Sequence, residues 1–115
     1  MINKYKNIKT TVDGFTFDSK GEANRYQELL LFQRAGEISE LNIQPKYILQ
    51  ESFKKNGKTH RAIAYIADFE YNDKILKRYI VEDFKGMETE VFKIKRKLFE
   101  KRYPDLELRL VKGVR

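Results

Sequence analysis

Apolar and polar positions follow two rhythms along this chain, one of period two and one of period 3.6. In "TTVDGFTFDS", Asp13-Gly14 separates two short β-prone runs and predicts a hairpin. In "SKGEANRYQELLLFQRAGE" the rhythm changes, with Tyr26, Leu29, Leu30 and Gln33 at helical spacing. Ser19 followed by Glu22 matches a capping box and Gly36 is a stop signal, so the spacing predicts a helix from about Lys20 to Ala35. Three strand-like runs follow: "KYILQESF", ending near Phe53, then "HRAIAYIADFEY" and "ILKRYIVEDFK". Asn56-Gly57 and Asn72-Asp73 are the turn signals between them, which predicts an antiparallel meander ended by Gly86. "METEVFKIKRKLFEKRY" predicts a second helix with Val91, Ile94 and Leu98 on its apolar stripe, stopped by Pro104. "LELRLV" alternates and predicts a last strand. The expected order is hairpin, α, three strands, α, strand, without linker, repeat or low-complexity tract, in one domain spanning residues 1–115.

Charges interrupt this pattern where it is most strand-like. Asp68 breaks the apolar part of the second run, and Asp83 and Lys85 close the third. Unpaired charges are costly next to a core. Side chains alternate along a strand, so Asp83 and Lys85 share one face while Glu82 and Phe84 take the other. If Asn72-Asp73 were a strict two-residue turn, Asp68 would lie opposite Lys77. Asp83 would then be six residues further on (83 − 77), or roughly 20 Å away. A wider loop, centred between Ile75 and Leu76, would put the two carboxylates face to face, and so would a bulge or bend. The turn signal favours the tight version. Glu22 lies four residues before Tyr26, on the face of the first helix that should pack on the sheet, so it can reach the strand charges as well as cap.

Composition narrows the chemistry. The chain has no cysteine, which excludes disulfides and thiolate metal sites and fits a reducing compartment. Its one histidine, His60, rules out a multi-histidine zinc site and reads as a bystander. No run is long and apolar enough to span a membrane, and "MINKYKNIKTT" lacks the apolar core of a secretory signal, so a cytoplasmic protein is expected. The formal net charge of +7 points to an anionic partner such as DNA. Carboxylates with one lysine suffice for metal-assisted phosphodiester cleavage. Hard oxygen ligands suit Mg²⁺, with Mn²⁺ as a substitute, and a lysine stabilises charge developing on the phosphate.

"ADF" followed by "EDFKG" resembles the split motif of the PD-(D/E)XK nuclease superfamily, with Asp68 as the first acid and "DFK" as D-x-K. "FDSKGEANRYQEL" before it and "KRKLFEKRYPDLEL" after it resemble a small phage-associated family of unknown function within that superfamily. The resemblance covers nearly the whole chain and implies an α/β (α+β) fold. Its restriction-endonuclease-like core would be a mixed central sheet flanked by two helices, in the order α-β-β-β-α-β behind an N-terminal hairpin. It implies Asp68, Asp83 and Glu22 as catalytic acids and metal ligands, the Phe84 backbone carbonyl as a further ligand, and Lys85 as the catalytic lysine. Ala67 stands where the superfamily name puts a proline. Restriction, recombination and Holliday-junction-resolving enzymes belong to the superfamily, so an Mg²⁺-dependent DNA endonuclease, structure-selective or weakly sequence-specific, is expected in the cytoplasm of a bacterial host. Cutting two strands calls for two sites, which makes a homodimer a candidate assembly.

Basic residues extend the expected DNA contact. Lys93, Lys95 and Arg96 lie on the second helix, just after the D-x-K strand, and Lys55 and Lys58 lie at a hairpin tip. Thr89, Lys93 and Arg96 share a side roughly opposite the apolar stripe. Tyr65, Tyr71 and Tyr79 read as core or sheet-surface residues. Two rivals to the nuclease are a non-catalytic nucleic-acid-binding module with the same fold and an interaction protein whose charges are salt bridges.

Overall fold

Asp13 and Gly14 both take positive φ, 52° and 80°, so the expected two-residue turn closes the first hairpin. It pairs β1 (Thr10–Val12) with β2 (Phe15–Phe17) in the computed structural model, which describes residues 9–85 and 87–112. Helix α1 (Lys20–Arg34) starts as its capping box requires, with the Glu22 N–H donating to Ser19 Oγ at 3.1 Å. It ends one residue before the expected Ala35, which caps it, and Gly36 at φ 79° lets the Glu37 N–H return to the Phe32 carbonyl at 2.9 Å.

The middle of the chain differs from a three-stranded meander. Strand β3 (Ile38–Ile43) was not foreseen: "ISELNI" is half polar and bulged between Ser39 and Asn42, with Glu40 at φ 57°. "KYILQ" forms β4 (Lys46–Gln50) but pairs with β7 (Ile63–Ile66) as a separate two-stranded sheet. Beyond them β5 (Phe53–Lys55) and β6 (Lys58–His60) pair around the expected turn, with Asn56 at φ 53° and Gly57 at φ 75°. The run "HRAIAYIADFEY" is therefore split among β6, β7 and β8 (Phe69–Asp73).

A mixed four-stranded sheet holds the centre, in the spatial order β10-β9-β8-β3, with β9 (Arg78–Lys85) and β10 (Glu107–Lys112) parallel and the other pairs antiparallel. Parallel neighbours need a crossover, which α2 (Glu90–Arg102) supplies. Successive side chains of β9 point to opposite faces, and both faces are covered. Ile80 packs with Tyr26, Leu29, Phe69 and Tyr71 beneath α1, while Val81 packs with Tyr65, Phe92 and Phe99 beneath α2. The protein is thus a mixed α+β fold, richer in strands than in helix. No helix among the described residues is long and apolar enough to cross a membrane.

Helix α2 is rotated from the expected packing. Thr89 caps it, so it starts later than "METEVF" suggested, and it buries Phe92 and Phe99. Val91 and Ile94 are 63% and 61% exposed, and Leu98 is also exposed. Aromatic rings bury more area than the three aliphatics. Phe99 sits 5.2 to 5.8 Å from the rings of Tyr47, Tyr103 and Tyr65. Arg96 follows this inward face, half-buried over the Phe92 ring at 5.7 Å.

Candidate functional site

The connection between β8 and β9 decides whether the acids meet. Asn72-Asp73 does not turn the chain. Both residues stay in β8, paired with Tyr79 and Arg78 on one side and with Ser39 and Ile38 on the other. The turn is residues 74–77, centred between Ile75 and Leu76. Asp73 closes it by accepting the N–H groups of Ile75 (3.0 Å) and Leu76 (2.9 Å), and Lys77 takes φ 57°. The tight-turn register is therefore corrected to the wide one. Phe69 pairs with Glu82, which puts Asp68 beside Asp83. Two further bonds hold that rung: the Asp68 N–H donates to the Glu82 carbonyl at 3.2 Å, and the Phe84 N–H to Asp68 Oδ2 at 2.7 Å.

Glu22 joins them from α1. It is 8% exposed and accepts the Asp18 N–H at 2.8 Å, so it braces the helix start while sharing a hydrogen bond with Asp68. An unforeseen residue makes the approach possible. A Cβ on Gly21 would stand 2.6 Å from the Phe84 ring, so a larger residue in this turn would have to displace that ring. Asp83 is 2% exposed and accepts a hydrogen bond from the Tyr65 hydroxyl. Burial first, and the Asp83 charge second, push the Tyr65 hydroxyl far above its ordinary range, so it remains a donor.

Glu82 occupies the opposite face and is fully buried. Arg25 grips it with Nε to Oε2 at 2.6 Å and Nη2 to Oε1 at 2.9 Å, and the Tyr71 hydroxyl donates to Oε1 at 2.7 Å. Tyr79 donates in turn to Glu70 at 2.5 Å. Tyr65, Tyr71 and Tyr79, expected only as packing residues, thus each hold a carboxylate. Strict alternation would put Tyr65 and Tyr71, six residues apart, on one face; the break between β7 and β8 sends them to opposite faces, and nothing local in the sequence pairs a hydroxyl with an acid so distant in the chain.

The remaining candidates are spread out. Phe84 follows Asp83 on β9, with its ring toward α1. Lys85 ends β9, and its side chain lies outside the described residues, as does Gly86. Lys93 is exposed and 3.7 Å from Glu90, Lys95 is half-buried, and Arg96 pairs with Glu88 at 3.3 Å. Phe92, in the first turn of the same helix, packs on Tyr65 at 6.0 Å between ring centres. Lys55 and Lys58 lie at the β5–β6 tip, in a two-stranded sheet separate from the one that carries Asp83.

Burial, then hydrogen bonds with Glu22 and Asp83 and their charges, push the Asp68 carboxyl up to about 10. Among the described residues no group of three or more His, Cys, Asp or Glu side chains stands as a ready-made metal cage. Asp68 nonetheless interacts with both Glu22 and Asp83, and burial beside these two acids favours its protonated form. Their oxygen donors, without sulfur or imidazole, fit a hard divalent cation, and such a cation would take over the role of that proton. The shift sets a pH dependence. Between the ordinary carboxylate value of 3.8 and about 10, the folded chain keeps a proton that the unfolded chain releases. Stability in a chelator is therefore expected to fall as pH rises through this window, by at most about 1.4 kcal/mol per pH unit. Urea melts of wild type and Asp68→Asn check this: the substitution should flatten the fall, and equal slopes would refute it.

Residues 2–115 match the family described as "Protein of unknown function (DUF1064)". No curated protein and no solved structure matches the chain.

Proposed function

The chain belongs to the DUF1064 family, and we propose that it is a divalent-metal-dependent DNA endonuclease with a PD-(D/E)XK site. The observation that carries this reading is the meeting of Glu22, Asp68 and Asp83, brought from a helix and two adjacent strands, immediately before Lys85. The arrangement of elements supports it as well. With the β4–β7 and β5–β6 ribbons set aside, the helices and central strands run α1-β3-β8-β9-α2-β10, the α-β-β-β-α-β order of a restriction-endonuclease-like core.

In this reading Asp68 and Asp83 hold Mg²⁺ or Mn²⁺, with Glu22 and the Phe84 carbonyl as further ligands. A metal bound there supplies polarisation of the scissile phosphate and a more acidic water. The protein does the rest. The Phe84 N–H and the Tyr65 hydroxyl orient the two aspartates, fixing where their oxygens point before substrate arrives. Lys85 stabilises the charge that develops on the phosphate and orients the attacking water. Lys93 and Lys95 hold flanking phosphates from α2, while Arg96 is engaged with Glu88 and Phe92 and contributes less.

Cleavage of branched, duplex and single-stranded DNA with Mg²⁺, with Mn²⁺ and with chelator tests the proposal. Metal-dependent nicking or cutting of at least one substrate is expected. Its absence from every substrate, with DNA binding that ignores divalent ions, would favour the non-catalytic binding module.

A further inference from the structure

We propose that the β5–β6 ribbon is a DNA-engaging arm that enters the major groove of the duplex on which the carboxylate site acts. The choice of polymer rests on the nuclease reading, but the arm itself rests on its own residues. From Phe53 to Arg61 the chain carries Lys54, Lys55, Lys58 and Arg61 and no acid. The register sets Lys55 directly opposite Lys58 on the rung that adjoins the Asn56-Gly57 turn. Like charges on one rung destabilise a hairpin, and an isolated two-stranded ribbon is marginal to begin with. No described residue relieves the repulsion. Among the described residues, neither lysine has an ion pair or a side-chain hydrogen bond. Glu51, the nearest acid before the ribbon, is taken by Arg102 at 3.0 Å. An external anion would offset what the fold leaves uncompensated.

The rest of that face narrows the partner. Residues two apart on a strand share a face, so Phe53 and His60 stand behind the lysine rung. Their rings stack at 4.7 Å with 16° between planes, and Phe53 is 45% exposed. The ribbon thus presents two cations and then a flat aromatic pair. A two-stranded ribbon fits the major groove of B-form DNA, about 12 Å wide. The deep, narrow major groove of duplex RNA does not admit it. Lys58 precedes Asp68 by ten residues (68 − 58), at most roughly 35 Å of extended chain. One turn of duplex is about 34 Å, so tip and site can engage the same helix.

The test measures binding of a DNA duplex, and of an RNA duplex of matching sequence, in chelator across a salt series, for wild type and for Lys55→Ala/Lys58→Ala. The double variant is expected to lose roughly tenfold or more in DNA affinity, and its log–log salt slope to fall by about two. Its RNA affinity should be unchanged, and its melting temperature equal or higher, because a repulsive rung is gone. An unchanged DNA affinity and slope, or an equal loss on RNA, overturns the arm. If wild type also cleaves DNA in an Asp83-dependent way, the arm alone has failed. If the lysines carry DNA binding but no cleavage occurs, the arm stands and the nuclease reading fails.

Discussion

Asp83→Asn is expected to lower metal-dependent DNA cleavage on the order of 10³-fold while the protein stays folded. The side chain lies on the central strand, 2% exposed, where Asp68 and Tyr65 both reach it. Asparagine keeps the shape and still offers Tyr65 an acceptor oxygen, so the core has no new unpaired hydroxyl. It removes the negative charge that would hold a cation beside Asp68. Tyr65→Phe should be milder, roughly 10- to 100-fold, because that hydroxyl acts through Asp83. Single-turnover rates, with metal titrations of each variant, separate the two: Asp83→Asn should lose metal affinity outright, and Tyr65→Phe should recover activity at high metal. An Asp83→Asn protein as active as wild type would remove Asp83 from the catalytic set.

Glu82→Leu is expected to cost about 3–5 kcal/mol of stability, far more than a surface acid would. Glu82 is fully buried, and its loss strands the Arg25 guanidinium, whose side chain is 17% exposed, together with the Tyr71 hydroxyl. A buried ion pair is worth little against apolar residues that fill the same space, yet breaking one side of it is severe. Arg25→Met/Glu82→Leu should therefore recover much of the loss, and urea melts of the two single variants and the double variant measure the coupling. Additive effects would show that the pair does not act as a unit. The pair also ties the site together. Arg25 lies one helical turn beyond Glu22 and Glu82 directly precedes Asp83, so the grip fixes α1 against β9 near the three acids.

How much of this was legible in the sequence depended on how far apart the partners are. Asp13-Gly14 and Asn56-Gly57 turn as read, because a residue pair that tolerates positive φ acts over two positions. Helix α1 was readable from Ser19 to Gly36 for the same reason, and Glu22 does cap while facing the sheet. Asn72-Asp73 misled. Its turn preference is of order 1 kcal/mol, whereas the wide register sets Tyr71 against Ile80 and Glu70 against Val81, covering both faces of β9. Each large apolar side chain so buried contributes roughly 1.5–3 kcal/mol, so burial outweighs the dipeptide. Helix α2 misled likewise. The apolar spacing of Val91, Ile94 and Leu98 is real, but the pocket made by Tyr47, Tyr65 and Tyr103 selects Phe92 and Phe99.

The sequence by itself determined the chemistry that is available: carboxylates and a lysine without histidine or cysteine partners, with Asp68 on one strand and Asp83 and Lys85 on one face of the next. The tertiary structure alone decided that the acids meet. Alternation is a property of neighbouring residues, but register and helix rotation are set by sums of burial over residues far apart in the chain. Tyr65, Gly21 and the Arg25–Glu82 pair became visible only once those sums had been resolved.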